Sequence, residues 1–405
     1  METSQGSRSV GILIIVLLIA CSCWTLLFLQ VKPQLLSGMS DFSVLYCVGK
    51  MVLAGHGSQM YDYETLKHVQ EPFLRPGTIA LPFVWPPYIM VVFAGLAMLP
   101  YSWSVATWYA INVLVVLSIP FLLRHRLGLT DKQTALAVIA LVLFYPIAVC
   151  LSMGQITILT LFLFAVVFLD LDDGKDFRAG CVLAVAIYKP QFVLVPLLAF
   201  ILMRKWRAVG GFVAMCIALF LLCVGVAGWK TTVGFPRAVS AFQHLPEFLG
   251  GEHPERMPNL RGLVDVALGS HFKHSYVVLA ATLASAGLAL IICVVTLRGK
   301  KNFSELTFSL VVIVCVLSSY HAYRHDMVLL VLPLLLVAHQ IAHIESPWAA
   351  LILTMISAVA FFSPTLMPPW ASSIVLLAFA IALFAEIRRQ AGATLGPEIT
   401  KTECP

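Results

Sequence analysis

Charge is scarce in this sequence. Of its 405 residues only 11% are Asp, Glu, Lys or Arg, against 60% hydrophobic residues. A soluble domain carries about a quarter charged and about half apolar residues. An ordinary water-facing surface is therefore excluded, and the surplus apolar area must face lipid. A disulfide framework is missing as well. Ten cysteines are present, but most lie inside apolar runs, only Cys47 and Cys404 sit in a loop or tail, and no CxxC pair suggests a metal. They read as small packing residues. The sequence also lacks a soluble domain, a low-complexity linker and an internal repeat. The net charge of +6 would suggest nucleic acid in a soluble protein. Here the basic residues gather at the ends of apolar runs, where membrane topology accounts for them, and no nucleic-acid partner is expected.

What the chain does have is long apolar runs: Val10–Val31, Trp103–Leu123, Gln133–Cys150, Ile156–Leu171, Ala208–Ala227, Tyr276–Leu297, Phe303–Ser318, Met327–His339, Trp348–Phe362 and Trp370–Ala385. Several reach the ~20 residues a membrane helix needs, and flanking residues extend the others. The reading is an all-α polytopic membrane protein of about ten transmembrane helices plus interfacial and re-entrant half-helices. It forms one membrane domain over residues 1–387, with a cytoplasmic tail at 388–405. Leu18-Ile19-Ala20-Cys21 looks like a lipoprotein cleavage box, but the apolar stretch continues through Leu29. An uncleaved first span is expected, with a cleaved signal as the minor alternative.

Basic clusters punctuate the chain at Arg124-His125-Arg126, Lys175 with Arg178, Arg204-Lys205-Trp206-Arg207, Arg298-Gly299-Lys300-Lys301 and Arg388-Arg389. The positive-inside rule places them, and both termini, in the cytoplasm. That arrangement requires two apolar segments not to cross. Phe83–Leu99 carries Pro86-Pro87 and ends at Pro100, which suits a short interfacial helix. Gly180–Met203 is interrupted by Lys189-Pro190 and flanked by basic residues on both sides. Two half-helices that enter and return satisfy both flanks; one long span there is the competing topology. Residues 32–82 and 229–274 then form the large outer loops, so polar residues able to do chemistry concentrate outside.

Four places carry such residues. Asp41 opens a helix whose apolar residues share one face, read as amphipathic and lying on the outer surface. Asp41 is either its N-cap or a general base held at the interface, and spacing alone favours the cap. Gln155, in Ser152-Met153-Gly154-Gln155, is either part of a plain turn or an amide aimed into a site. Lys189 lies mid-segment, where an ammonium costs roughly 2.5–3.5 kcal/mol. It is a buried counter-ion or a cation for a phosphate, the second being preferred. The loop Tyr320-His321-Ala322-Tyr323-Arg324-His325-Asp326 is the densest short polar cluster in the chain. Arg324 can fork onto a phosphate, and His321 and His325 can hydrogen-bond sugar or phosphate oxygens. A two-His-plus-Asp zinc site is disfavoured because the loop is short and no Cys is near.

In order along the chain, these features resemble glycosyltransferase family 87 of the GT-C superfamily. The resemblance lies in Asp41-Phe42 after the first span, Leu53-Ala54-Gly55 leading to Met60-Tyr61-Asp62, and Trp85-Pro86-Pro87. It continues in Gly154-Gln155, in Ala179-Gly180 to Lys189-Pro190, and in the loop Tyr320–Asp326. The resemblance implies a GT-C-type fold, a polyprenyl-phosphate sugar donor, usually mannose, and a lipid or glycan hydroxyl as acceptor. It implies transfer with inversion, without a metal or other cofactor, on the periplasmic side of a bacterial inner membrane. It makes Asp41 the catalytic base, reversing the preference from spacing. Lys189, Arg324 and His325 become the donor-phosphate set, with His321, Tyr320, Gln155, Tyr61, Asp62 and Asn259 as further substrate contacts. The loop Arg324-His325-Asp326 departs from the more aromatic, His-rich loop of the family. A lipid or sugar transporter, which also uses broken helices and intramembrane charge, is the alternative of another class, and a structural subunit of an envelope assembly is a third.

Overall fold

The computed structural model describes residues 2–38, 40–76, 78–242, 253–297 and 303–393, and it is helical, with no strand among the described residues. The chain forms two compact units. The first comprises Met1–Pro190, Arg207–His253 and Arg324–Val328; the second comprises Gln191–Trp206, Pro254–Tyr323 and Leu329–Pro405.

In chain order the helices are α1 (Glu2–Leu36), α2 (Asp41–Leu53), α3 (Tyr63–Gln70), α4 (Met90–Ala97), α5 (Tyr101–Leu127), α6 (Asp131–Leu143), α7 (Tyr145–Ser152), α8 (Thr157–Asp172) and α9 (Asp176–Val185). They continue as α10 (Leu194–Leu202), α11 (Trp206–Ala227), α12 (Trp229–Phe242), α13 (Leu260–Leu268), α14 (His274–Leu297), α15 (Glu305–Ser318), α16 (Val331–Ile341), α17 (Pro347–Leu366) and α18 (Pro369–Ala393). Seven helical stretches among the described residues are long and apolar enough to cross a membrane, or eight if the bent pair α6–α7 is one span. The protein is a multi-pass membrane protein. Three of the ten apolar runs account for the lower number. The run Gln133–Cys150 bends by 56° between α6 and α7, where Pro146 starts a new helix. Helices α8 and α15 have 16 and 14 residues. At 1.5 Å per residue they reach only roughly 24 and 21 Å, short of a ~30 Å hydrocarbon core.

Within the first unit, α1 packs on α5, α6 and α7 and leaves Ile15, Leu18 and Leu26 exposed, as a lipid-facing helix does. Helix α2 differs from the surface helix that its pattern suggested. Phe42 through Gly49 are all buried: α4 and α5 cover the apolar face, and α3 meets the opposite side, where the Cys47 thiol donates to the Val69 oxygen. Gly49 makes this possible: a Cβ there would lie 2.6 Å from the Phe93 carbonyl oxygen of α4. The rings of Phe42, Tyr46, Phe93, Tyr101 and Trp108 fill the contact. Helices α9 and α11 meet backbone to backbone. A Cβ on Gly180 would lie 1.8 Å from the Ala208 oxygen, and one on Gly211 2.0 Å from the Phe177 oxygen. Small residues permit such approach where apolar burial gives helices no driving force in lipid.

The expected break in Gly180–Met203 is present: the α-helix stops at Val185 and resumes at Leu194, with Lys189 and Pro190 between. Phe83–Leu99 contains only the short α4 preceded by a turn at Pro87–Ile89. The stretch 229–274, read as an outer loop, carries α12 and α13; its residues 243–252, and the tail beyond 393, lie outside the described residues. In the second unit, α15 is buried from Glu305 to Leu317. A helix that is apolar all round belongs at the centre of its unit, and α10, α14, α16 and α18 surround it.

Candidate active site

Ser40, not Asp41, occupies the N-cap position of α2, and Asp41 is the first helical residue. The carboxylate is therefore not spent on capping. Its Oδ2 accepts a hydrogen bond from the Gln155 Nε2 amide. The backbone around Gln155 fixes this meeting. Helix α7 ends at Ser152, and Gly154 turns the chain with φ +65°, a conformation that side-chain-bearing residues avoid. A Cβ on Gly154 would also lie 2.8 Å from Phe42 Cβ. Asp41 N–H donates to the Met153 oxygen at 3.2 Å, and Trp108 Nε1 donates to the Gly154 oxygen at 3.2 Å. The turn is thus clamped between α5 and the first residues of α2, with Asp41 half-buried at its edge.

Burial raises the proton affinity of Asp41 above that of an ordinary carboxyl group. The charges of His325 and Lys189 and the Gln155 bond pull it back only part of the way. A carboxylate shifted in this direction is a better proton acceptor than a free one.

Lys189 and the segment 324–328 supply the second half of the cluster. Lys189 sits where the chain leaves helical geometry (φ −123°, ψ 73°) before Pro190. Its Nζ donates to Asp326 Oδ1 at 2.5 Å and to Thr157 Oγ1 at 2.7 Å. Thr157, the first residue of α8, donates to the same Asp326 oxygen at 2.9 Å. Asp326 Oδ2 lies 3.3 Å from His325 Nε2. Lys189 is 7% exposed and Asp326 1%, so this is a buried ion pair, the counter-ion arrangement left open by the sequence. Asp326 and Thr157 were not expected to matter. Asp326 closes the polar loop 320–326, but its pairing with a lysine 137 residues away leaves no local trace.

The cluster thus unites Asp41, Gln155, Lys189 and His325, with the half-buried Arg324 next to His325 in the chain. Two further candidates of the same unit do structural work. The Tyr61 hydroxyl donates to the Trp85 oxygen at 2.6 Å, with its ring on Phe83 and Phe235. The Asp62 carboxylate caps α3 by accepting from Thr65 N at 3.1 Å. The other three belong to the second unit. Asn259 caps α13, accepting from Gly262 N at 2.9 Å while its amide donates to the Ser319 oxygen at 2.8 Å. The His321 ring meets Tyr323 edge-on, and its backbone oxygen accepts from Gln191 Nε2 at 3.1 Å. The Tyr320 ring lies under the guanidinium of Arg261, 3.9 Å from its centroid. Arg261, 3% exposed, is a buried cation that no sequence motif marked.

The protein is thus a multi-span helical protein in which Gln155, Lys189 and His325 gather with one partly buried carboxylate. The chain matches the profile of glycosyltransferase family 87 over residues 83–319, more than half its length, and it belongs to that family. It is therefore a membrane-embedded glycosyltransferase, with a sugar donor and an acceptor as its substrates. The matched region contains Gln155, Thr157, Lys189, Asn259 and Arg261; Arg324–Asp326 lie just past its end, and Asp41 lies well before its start at residue 83. No curated protein matches the chain.

Proposed function

We propose that the protein transfers a hexose, mannose in the first instance, from a polyprenyl-phosphate carrier to a hydroxyl of a lipid or glycan, with inversion and without a metal. Transfer takes place on the outer face of a bacterial inner membrane, with both chain termini in the cytoplasm. The observation that carries this reading is the half-exposed Asp41 carboxylate, latched by Gln155, with raised proton affinity and cationic groups near enough to act on it.

In this mechanism Asp41 accepts the proton of the acceptor hydroxyl as its oxygen attacks the anomeric carbon. The bond from that carbon to the phosphate oxygen breaks, and polyprenyl phosphate leaves with the electron pair. Positive charge builds on the sugar ring in the transition state, as in other glycosyl transfers, and negative charge on the departing phosphate. Lys189, Arg324 and His325 form the phosphate-binding set. Within it Lys189 acts through Asp326, whose carboxylate holds the 324–326 segment in place, while His325 and Arg324 face the phosphate. Fixed cations in a poorly hydrated cavity stabilise developing charge more than the same cations in water.

The test is transfer of a labelled hexose from polyprenyl phosphate in membrane vesicles. Asp41→Asn should reduce turnover by ~10²–10⁴-fold, the usual contribution of a general base, at unchanged membrane levels of protein. Turnover at the unmodified rate overturns the assignment, and a cysteine label placing residue 41 on the cytoplasmic side overturns the topology.

A further inference from the structure

Helix α12 follows α11, a helix long and apolar enough to cross a membrane, with only Gly228 between them at φ +80°. Glycine alone holds that conformation without strain, so the chain has a corner there. Residues nine apart in one continuous helix lie on the order of 13 Å apart along its axis. The rings of Phe220 and Trp229 instead meet edge to face at 5.7 Å. The start of α12 thus folds back toward α11 rather than extending it.

The inner face of α12 is fixed to its own unit. Thr231 Oγ1 donates to the Ser58 oxygen at 2.8 Å, the Phe235 ring lies 5.5 Å from that of Tyr61, and the Phe242 ring 6.4 Å from that of Tyr63. The end of α11 is held just as closely, since a Cβ on Gly57 would lie 2.4 Å from the Val226 oxygen.

The outer face is divided lengthwise. At 3.6 residues per turn the exposed residues of α12 fall on one continuous arc of roughly 140°. Pro236, Trp229 and Val233 run along one side of this arc, with Ser240 among them, and Arg237 and Lys230 run along the other. Trp229 is 62% exposed and Val233 53%. The helix holds no acidic residue. Its apolar ridge continues the surface of α11, where Leu221 and Leu222 are exposed in turn. With 14 residues α12 reaches roughly 21 Å, too short to cross a ~30 Å hydrocarbon core. Immersed in that core, Lys230 and Arg237 would lose their hydration; wholly in water, Trp229 and Val233 would stay exposed. In the headgroup layer the apolar ridge reaches acyl chains while the basic ridge meets phosphates, the arrangement of a helix lying in the membrane plane. Trp is the side chain that favours this level.

We propose that α12 is an interfacial helix that binds anionic phospholipid, with Trp229 and Val233 among the upper acyl chains and Lys230 and Arg237 on lipid phosphates. Because its inner face is tied to Ser58, Tyr61 and Tyr63, this seat also sets the depth of the segment 57–63. The proposal is independent of the transfer reaction.

The experiment places the full-length protein in nanodiscs whose lipids carry bromine either high or low on the acyl chain, where it quenches nearby tryptophan. The quenching owed to Trp229 is the difference between the unmodified protein and Trp229→Phe, and it should be larger with the shallow bromine. In phosphatidylcholine nanodiscs containing brominated phosphatidylglycerol, the lipid beside Trp229 should be enriched in phosphatidylglycerol about fivefold over the bulk. The double variant Lys230→Gln/Arg237→Gln changes two exposed residues and leaves the inner face intact. It should bring that enrichment close to one and keep the depth profile. Absence of Trp229 quenching by either bromine overturns the proposal, since the face would then lie in water or against another protein. Stronger quenching by the deep bromine overturns it too, because α12 would then lie within the hydrocarbon. Enrichment that is absent, or that survives the double variant, removes the assignment of the basic ridge to lipid phosphates. None of these readings involves transfer, so the result of Asp41→Asn bears on the proposed function alone.

Discussion

Lys189 and Arg261 are both buried cations, one in each unit, but their surroundings differ in kind. Lys189 is gripped by Asp326 and Thr157 at 2.5 and 2.7 Å, so its charge is matched by a carboxylate of the protein itself. Arg261 lies on the face of Tyr320 and lines an open groove. The first arrangement fixes a loop through an ion pair; the second stacks a guanidinium on an aromatic ring. A cation in an apolar stretch of sequence therefore identifies a place where a charge must be accommodated, but it does not say which kind of group does so.

That contrast can be broken most forcefully at Lys189. Lys189→Met leaves the Asp326 carboxylate buried beside Thr157 without its ammonium. It should cost about 3–5 kcal/mol of stability, the usual penalty for stranding one member of a buried pair. Unfolding in detergent by heat or denaturant measures it, and a loss under ~1 kcal/mol would show the pair to be unimportant. The double variant Lys189→Met/Asp326→Leu should recover most of that loss, because a buried pair replaced by apolar groups is often neutral. Strict additivity of the two single losses would contradict direct coupling.

The Arg261 side of the comparison is sharpened by a smaller change. Asn259→Ala removes the α13 cap and the tie to Ser319 and should lower stability by ~1 kcal/mol. Thermal unfolding in detergent measures it, and an unchanged midpoint would show that the cap carries no stability. The smallest expected effect is at Gln155. Its amide donates to Asp41 and favours the ionised carboxylate, so Gln155→Leu should raise the proton affinity of Asp41 further. In the proposed mechanism activity requires ionised Asp41 and falls as pH drops through its titration, so the acid limb of the pH–rate profile should move to higher pH. A limb that stays put or moves down would mean that Asp41 does not limit the rate there.

Much of the fold was legible because apolar run length is a direct physical demand of the bilayer. The seven long spans, the break at Lys189-Pro190 and the short Phe83–Leu99 segment were all readable locally. The rest was not, for identifiable reasons. The α6–α7 bend depends on Pro146 starting a helix within a run that stays apolar across it. The burial of α2 depends on Gly49 meeting Phe93 of α4 on one side and Cys47 meeting Val69 of α3 on the other, and periodicity alone cannot say which neighbour covers a polar face. Within the site, Asp41 and Gln155 each stood out, but their contact spans 114 residues. Tyr61, Asp62 and Asn259, expected as substrate contacts, each hold backbone in this structure, a role their sequence context does not announce. Arg261 was passed over because the prolines and glycines around it suggested irregular loop, although Asn259 followed by Leu260, Leu263 and Val264 is the pattern of a capped amphipathic turn.

The turn at Gly154 has a consequence for how such an enzyme can change over time. Because it rests against Phe42 and its neighbour Met153 receives the Asp41 amide, the elbow joining α7 and α8 and the Asp41 carboxylate travel as one piece. Lengthening or swapping that elbow would drag the carboxylate with it. A scaffold built this way can be reshaped without disturbing Asp41 through surfaces that leave the elbow alone.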